Sequence, residues 1–466
     1  MGKRLSATAF SFDDIRAEFA LPKDYPAVAV NEATRATDRY ARQRKDRTDI
    51  PFVTIDPPGS MDLDQAVHIA KTDNGFTAHY AIADVGSVVE PGGALEQETW
   101  SRGQTMYLPD GSVPLHPKVL SEGTASLLPD QIRPAALWTI ELNAQGEHTS
   151  VNVHRALVRS VARFDYTGVY ADAQAGRLHA SIEHLPAVGD LRMALARQRG
   201  AIELHLPEQE VESDGAGKWK LVAREHTPAD DWNAEISLLT GTCAAKLMLD
   251  AKVGLLRTLP PADEGSVEAL RKCAKSLGVA WPDAMSPGEF LTGLDPNLPT
   301  TMALMSEATS LLRGASYVPF DGELPAQPLH AAIGLPYAHV TAPLRRLGDR
   351  YATEVCLAIC AGQPVPDWAR TRLSDLPPVL RESDQTAGKV DRACVDKTEA
   401  LVLSSRVGQT FPGAVVRAAN EKHPADVFIA DPPVIAPCDG NPTEGQQLQV
   451  RLTVADPARR AVRFSA

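Results

Sequence analysis

Residues Phe52-Val53-Thr54-Ile55-Asp56-Pro57-Pro58-Gly59-Ser60-Met61-Asp62-Leu63-Asp64-Gln65 read as a strand that breaks into a turn carrying three carboxylates. Phe, Val, Thr and Ile suit a pleated, half-buried surface, and Pro-Pro-Gly-Ser stops them. Crowded aspartates repel and raise one another's pKa unless a cation lies among them, and a hard, oxygen-seeking ion such as Mg²⁺ turns that repulsion into coordination. Ions held in this way activate water and stabilise the leaving oxygen of a phosphate displacement. The same letters also compose an ordinary solvated turn, and the stretch by itself leaves both readings open. An EF-hand calcium loop fits poorly, because neither Asp56 nor Asp62 as first position puts Gly sixth or Glu twelfth, and a magnesium site is preferred.

The 466 residues exceed what one hydrophobic core usually organises, so two or three domains are expected, one of them large. The net charge of −12 is concentrated in the middle of the chain, while the first fifty and last sixty residues are close to neutral. An acidic body disfavours a broad duplex-binding face and favours a local basic channel for one strand. The six cysteines, Cys243, Cys273, Cys356, Cys360, Cys394 and Cys438, form no Cys-x-x-Cys or zinc grouping and read as buried thiols without disulfides. No apolar run reaches the roughly 18 residues of a membrane helix, and Met1–Phe10 has no sustained apolar stretch, so a cytoplasmic protein is expected.

Ser11 to Leu21 has a capping Ser, early acids and helical apolar spacing, with Pro22 as its stop. Ala27 to Arg44 offers a second helix ending in the charged stretch Arg42–Arg47. Residues 1–48 therefore read as a small helical domain, either helix-turn-helix-like or a cap on the body. Residues 50–170 alternate β-rich runs with Gly/Pro turns, such as Phe76–Ala83 and Ala136–Leu142. From about 185 the periodicity turns helical, with Trp232, Ile236, Leu239, Cys243 and Leu247, then Leu344, Leu347, Tyr351, Val355 and Ile359. After Gly408 strand patterning returns in Pro412–Arg417, Ala425–Ile429 and Leu448–Val454. The body is α+β, sheet first.

Phe52-Val53-Thr54-Ile55-Asp56, Asp62-Leu63-Asp64 and His79-Tyr80-Ala81-Ile82-Ala83-Asp84-Val85 together resemble the catalytic domain of the ribonuclease II / RNase R (RNB) family of exoribonucleases. Tyr107-Leu108-Pro109, Pro114-Leu115-His116-Pro117, Leu120-Ser121 and Ser126-Leu127 follow the family order, and Tyr337-Ala338-His339-Val340-Thr341-Ala342-Pro343-Leu344-Arg345-Arg346-Leu347 resembles its "Y-x-H-F-T-S-P-I-R-R-Y" segment. The resemblance covers about residues 50 to 400. It implies an RNB catalytic domain over 49–404, a mixed sheet flanked by helices, followed by an S1-like OB barrel over 405–466. The family generally precedes its catalytic domain with two cold-shock barrels, and the fifty helix-like residues here are too few to hold them, a short form. The barrel region carries only Phe411, Phe428 and Phe464 as aromatics, so its stacking face is expected to be thin.

By resemblance Asp56, Asp62 and Asp64 match three of the four family aspartates around the metal, and the fourth position is Gln65. Asp56, Asp62, Asp64 and Gln65 are thus the expected ligands of one or two Mg²⁺ ions, with Mn²⁺ as an alternative. Gln65 supplies an oxygen but no charge, so a second ion would be held less firmly. Asp64 and Asp62 are assigned to catalysis with Arg345, whose guanidinium is aimed at a phosphate, and Arg346 is expected to line the RNA path while pairing with Asp349. Tyr107 corresponds to the aromatic that stacks on the bases at the 3′ end, and His205 is the available stacking partner where the family has a second aromatic. Asp84, Tyr166, Glu235, His339 and Asp391 complete the expected RNA-contacting set by resemblance, with Asp84 and Tyr166 suiting a structural role equally well. The implied activity is 3′-to-5′ hydrolysis of single-stranded RNA to nucleoside 5′-monophosphates by a monomer that threads one strand. Two alternatives remain: a non-catalytic RNA-binding relative whose metal site has decayed at Gln65, and a metal-dependent phosphoesterase acting on other substrates.

Overall fold

In the computed structural model, which describes residues 5–6, 11–202, 204, 209–213, 219–223, 226–295, 298–421 and 423–466, the first half of the chain builds a mixed sheet. Its strands are β1 (Lys45–Asp46), β2 (Phe52–Ile55), β3 (Gln65–Thr72) and β4 (Gly75–Ala83). A separate hairpin of β5 (Met106–Leu108) and β6 (Gly111–Val113) follows, and β7 (Ile132–Asn143) and β8 (His148–Phe164) complete the sheet. The order is β1-β8-β2-β3-β4-β7, with β7 also pairing to β8. The 17-residue β8 can do this because its first part runs antiparallel to β7 and its second part parallel to β1 and β2. The register Val67↔Tyr80 and Ala66↔Ala81 sets which residues share a face.

Each face has its own core. Val67, Ile69, Tyr80 and Trp138 pack against Ile236 and Leu239, and against Tyr351 and Val355. Those partners come from helices α5 and α6, and the helices that matter to the site are α1 (Asp13–Glu18), α2 (Ala27–Arg35), α3 (Ala94–Arg102), α4 (Tyr166–Gln174), α5 (Pro228–Ala251), α6 (Leu347–Cys360) and α7 (Leu376–Leu403). On the opposite face Phe52, Leu63, Ala81 and Leu137 meet Ala29 and Ala33 of α2, Leu95 of α3, and Leu344. Leu344 thus precedes α6 and packs against the sheet, which ties the segment before α6 to the aspartate turn. The fold is α+β, as the sequence indicates. All six cysteines are free thiols, and among the described residues no helix is long and apolar enough to cross a membrane.

Strands β9 (Thr410–Arg417), β10 (Ala425–Ala430), β11 (Pro433–Asp439), β12 (Gln447–Asp456) and β13 (Ala461–Ser465) form a closed barrel in the order β9-β10-β11-β13-β12. Phe411, Phe428 and Phe464 are 4%, 5% and 0% exposed, so all three pack inward or against the neighbouring helices. None of them offers a base a face.

Two sequence expectations change. The second helix ends at Arg35 rather than running to the charged stretch, because the chain must turn Arg44 inward and lay Lys45–Asp46 beside β8. The Arg44 side chain is wholly buried, pairing with Asp38 and, at 2.8 Å, with Asp84. Asp84, expected to touch RNA, is 3% exposed. Its Oδ2 also accepts from Arg155 at 2.6 Å, and Arg155 reaches Glu354 of α6 at 2.6 Å while lying 3.6 Å over the Tyr40 ring. Burial works against its ionisation, but Arg155 and Arg44 outweigh it and hold the carboxyl below its ordinary range. Asp84 therefore bolts the sheet to α6 and the incoming N-terminal segment. Asp84→Asn leaves two buried guanidinium groups short of a counter-charge and should lower unfolding free energy by about 3–5 kcal/mol in urea titrations. A loss under 1 kcal/mol, or an RNA-binding defect in fully folded protein, would restore the RNA-contact role.

Candidate active site

The aspartate turn starts where β2 ends. The Asp56 amide donates to the Phe164 carbonyl, and the Ser60 amide to the Pro57 carbonyl, closing a turn with Pro58 second and Gly59 third. Gly59 has φ +84°, the left-handed value that a type II turn requires at that position. The following residues are then drawn back to the sheet. The Ser126 hydroxyl accepts from the Leu63 amide at 3.0 Å and donates to the Met61 carbonyl at 2.6 Å, and the Leu127 amide reaches the Leu63 carbonyl. With Leu63 wholly buried, the residue between Asp62 and Asp64 is anchored.

Asp64 is 5% exposed. Its Oδ1 accepts from the Leu344 backbone amide at 2.7 Å, and its Oδ2 lies 3.9 Å from Arg345 Nε. Burial pushes its carboxyl well above the ordinary range, opposed by Arg345 and the Leu344 amide and reinforced by the charges of Asp62 and Asp349. Residues 280 positions apart are thus joined in one site.

The segment 341–346 is pinned almost residue by residue. The Thr341 carbonyl accepts from Gln65 Nε2 at 2.6 Å, the Ala342 amide donates to Asp349 Oδ2 at 2.8 Å, and the Arg345 carbonyl accepts from the Thr105 amide at 3.0 Å. His116 Nδ1 stands 3.0 Å from the Leu344 carbonyl. A carbonyl only accepts, so Nδ1 carries the proton, and burial lowers the ring's pKa to about 4 and keeps it neutral. Arg346 is held by Asp349 through two bonds, Nε–Oδ1 at 2.9 Å and Nη2–Oδ2 at 2.7 Å, the pairing its spacing indicates. With its Nε–Nη2 edge on Asp349, Nη2 also 3.5 Å from the Thr341 hydroxyl, and a side chain 14% exposed, Arg346 buttresses the segment. Arg345, 29% exposed, is the guanidinium that faces outward beside Asp64.

Gln65 departs from its expected role. Its nitrogen must face Thr341, whose carbonyl cannot donate, so Oε1 faces the Tyr80 hydroxyl, which donates at 2.7 Å and also contacts Ser237 at 2.8 Å. The amide is a strut between β3, β4 and the arginine segment, with both ends engaged. Burial pushes the Tyr80 phenol far up, and the charges of Tyr166, Asp56 and Asp64 add to it. Tyr166 opens α4, capped by Asp165, whose side chain accepts from the Gly168 amide at 2.8 Å.

Among the described residues no three His, Cys, Asp or Glu side chains converge to enclose an ion. The set Asp56, Asp62, Asp64 and Gln65 therefore does not close into a cage, and Gln65 leaves it for the reason just given. The donor chemistry still suits one hard cation at Asp62 and Asp64, whose charges press on one another. Mg²⁺ commonly takes one or two carboxylates and fills its remaining positions with water and substrate phosphate oxygens.

The other expected residues divide. Tyr107, 38% exposed on β5, points its hydroxyl at Asp62 Oδ2, 3.5 Å away, and so stands at the carboxylate end. His339 packs edge-on between Tyr317 and Tyr337, with the Tyr317 hydroxyl 2.8 Å from Nδ1, and burial followed by Arg346, Arg257 and Arg345 holds it neutral. Glu235 is 3% exposed, with Arg192 at 3.7 Å, and lies inside the α5 packing, a structural position and not a surface for RNA. Asp391 lies on α7 next to Val390, which packs with Phe12, Met106 and Leu108, and burial raises its pKa to about 6. His205 falls outside the described residues. Sequence reasoning missed Ser126, Tyr80, Thr105 and His116 as organisers of the site, and Ser126, Tyr80 and His116 lie within the motif runs that prompted the reading, where each looks like packing.

The family model for the RNB domain matches residues 44–359, and that for the RNase II-type exonuclease C-terminal S1 domain matches 409–466. Ribonuclease R of Aquifex aeolicus (strain VF5) is 26% identical over 432 residues, covering 87% of this chain and 60% of the relative. The chain thus spans three fifths of that curated relative. Among solved structures, Mycoplasma genitalium RNase R in complex with ribose methylated single-stranded RNA superposes with a TM-score of 0.84 at 20% identity, covering 97% of this chain and 77% of that one. Yeast Ssd1, described as a pseudonuclease, superposes with a TM-score of 0.63 at 15% identity, covering 89% of this chain and 50% of that one.

The strut role of Gln65 predicts the effect of changing it. Gln65→Glu keeps the length but sets a carboxylate against the Thr341 carbonyl, and should lower unfolding free energy by about 1–3 kcal/mol with no lower Mg²⁺ requirement in any activity assay. A Gln65→Glu protein as stable as the original, with a reduced Mg²⁺ requirement, would return Gln65 to the metal.

Proposed function

The chain belongs to the RNB family, and on that premise we propose that it is a 3′-to-5′ exoribonuclease that hydrolyses single-stranded RNA to nucleoside 5′-monophosphates. The observation that carries this reading is the meeting of Asp64 and Arg345 through the Leu344 amide, a carboxylate and an outward guanidinium at one anchored point. Its nucleic acid is RNA by kinship, supported by the RNA-bound RNase R that shares the fold. Ribonucleases of the RNB family generally depend on a divalent metal, and Mg²⁺ is the ion we assign here. We further propose the division into 1–48, 49–404 and 405–466.

Each residue then has a definite task. Asp62 and Asp64 would hold the ion, which supplies charge neutralisation and an acidified water. The Leu344 amide fixes the orientation of Asp64, so the carboxylate need not reorganise as the phosphodiester is attacked. Arg345 meets the negative charge that grows on the phosphate, and its planar fork suits two phosphate oxygens at once. Tyr107, half exposed beside Asp62, stacks on a base near the 3′ end whatever its identity, since every base offers a π-face. Bond cleavage leaves a 3′-hydroxyl on the shortened strand and a 5′-phosphate on the released nucleotide. No protein nucleophile takes part.

The likeness to a pseudonuclease gives the non-catalytic reading a concrete basis, and one experiment separates the readings. Incubation of a 3′-labelled single-stranded RNA with Mg²⁺ should release mononucleotide, and EDTA should stop it. Asp64→Asn should reduce turnover by at least about 10³-fold while RNA affinity survives. RNA binding without turnover in the unaltered protein decides for the non-catalytic relative, and equal hydrolysis of a DNA strand of the same sequence decides for a less selective phosphoesterase.

A further inference from the structure

Helix α1 grips the hairpin that carries Tyr107. Asp110, in the turn between β5 and β6, accepts from the Phe12 amide at 2.9 Å, from Arg16 Nη1 at 2.8 Å and from Arg16 Nη2 at 2.6 Å. The two Arg16 bonds fall on different carboxylate oxygens, a bidentate fork, and the side chains are 16% and 14% exposed, so solvent screens the pair little. Burial pushes Asp110 up, but Arg16 and the Phe12 amide prevail and hold it below the ordinary range. Beneath the pair, Phe12 and Ile15 pack with Met106, Leu108 and Val113 of the hairpin and with Val390 and Cys394 of α7.

The gripping helix is itself held from two other sides. Lys397 of α7 donates to Asp14 Oδ1 at 2.6 Å and to the Ser11 carbonyl at 3.0 Å, and Arg460, between β12 and β13 of the barrel, pairs with Glu18. Strands of three residues do not hold a hairpin in place by themselves. Along β5, Met106 and Leu108 face inward at 7% and 6% exposure while Tyr107 faces Asp62, so the hairpin's placement sets where the tyrosine stands over the carboxylate end.

We propose that Arg16, acting through Asp110, is a positioning residue for Tyr107 and so sets the length at which the last RNA fragment is released. The inference rests on the reading of Tyr107 as the residue that stacks near the 3′ end. A short fragment has few contacts, and stacking on one base is worth about tenfold in affinity, so a tyrosine that wanders lets the fragment go earlier and longer.

The test digests a 5′-labelled single-stranded RNA to completion with the full chain and Mg²⁺, and compares the original protein with Tyr107→Ala, Arg16→Ala, Arg16→Lys and Asp110→Asn. Tyr107→Ala should end on a longer fragment, and Arg16→Ala and Asp110→Asn should shift the end point in the same direction. Both should raise KM for short oligonucleotides about fivefold to tenfold and leave kcat within about twofold, as loss of binding without loss of chemistry requires. Arg16→Lys, which keeps the charge and loses the fork, should fall between. If Arg16→Ala fails to fold, Asp110→Asn and Arg16→Lys decide. End fragments of the original length in the Arg16 and Asp110 variants, with Tyr107→Ala lengthened, overturn the inference and leave the role of Tyr107 standing. An unchanged end fragment in Tyr107→Ala overturns the role of Tyr107 and the inference with it.

Discussion

A single backbone hydrogen bond, from the Leu344 amide to the Asp64 carboxylate at 2.7 Å, joins the two halves of the site. Asp64 is almost wholly buried, and a buried carboxylate is costly to ionise unless donors or cations meet it. The Leu344 amide meets one oxygen and Arg345 approaches the other, and of these two residues Arg345 is the one that reaches the surface. The segment bearing them makes no regular secondary structure until Leu347. Its geometry comes instead from bonds to Gln65, Asp349, His116 and Thr105, reaching it from a strand, from loops and from the first turn of α6. Rigid backbone with an outward side chain is what electrostatic preorganisation requires.

Away from this point the protein places many charges where they touch no substrate. Asp84, Arg44, Arg155 and Glu354 neutralise one another between the sheet and α6, and Arg350 of the same helix pairs with the buried Glu96 at 2.9 Å. Such pairs hold a specific arrangement, since moving either partner strands a charge in the interior. They also explain how an acidic chain can keep a local guanidinium at the carboxylate end: many of its other arginines are engaged by carboxylates inside the fold. The three phenylalanines of the S1-like barrel are buried and offer no aromatic face, whereas Tyr107 is 38% exposed beside Asp62.

The sequence was most legible where periodicity and turn chemistry act locally. The strand before Asp56, the strands around Tyr80 and Trp138, the helices around Ile236 and Val355 and the barrel all follow from apolar spacing and Gly/Pro punctuation. The pairing of Arg346 with Asp349 was legible too, because three residues span one helical turn. What escaped were contacts across long sequence separations. Nothing in Gln65 itself announces that its amide bridges Tyr80 and Thr341, or that Asp84 faces two arginines, because those partners are brought in by sheet register and by a segment some 280 residues away. Arg44 likewise looked like the end of a solvated helix until its burial showed why the helix stops nine residues earlier.

On the proposed function, Arg345 acts in chemistry from a position that Asp64 and Leu344 define. Single-turnover hydrolysis of a short single-stranded RNA by Arg345→Ala, with RNA affinity measured in parallel, addresses it most directly. The rate should fall by about 10²–10³-fold with affinity altered by less than about tenfold, as expected when a donor acts on charge that develops only in the transition state. An unchanged single-turnover rate, or a loss confined to affinity, would contradict it.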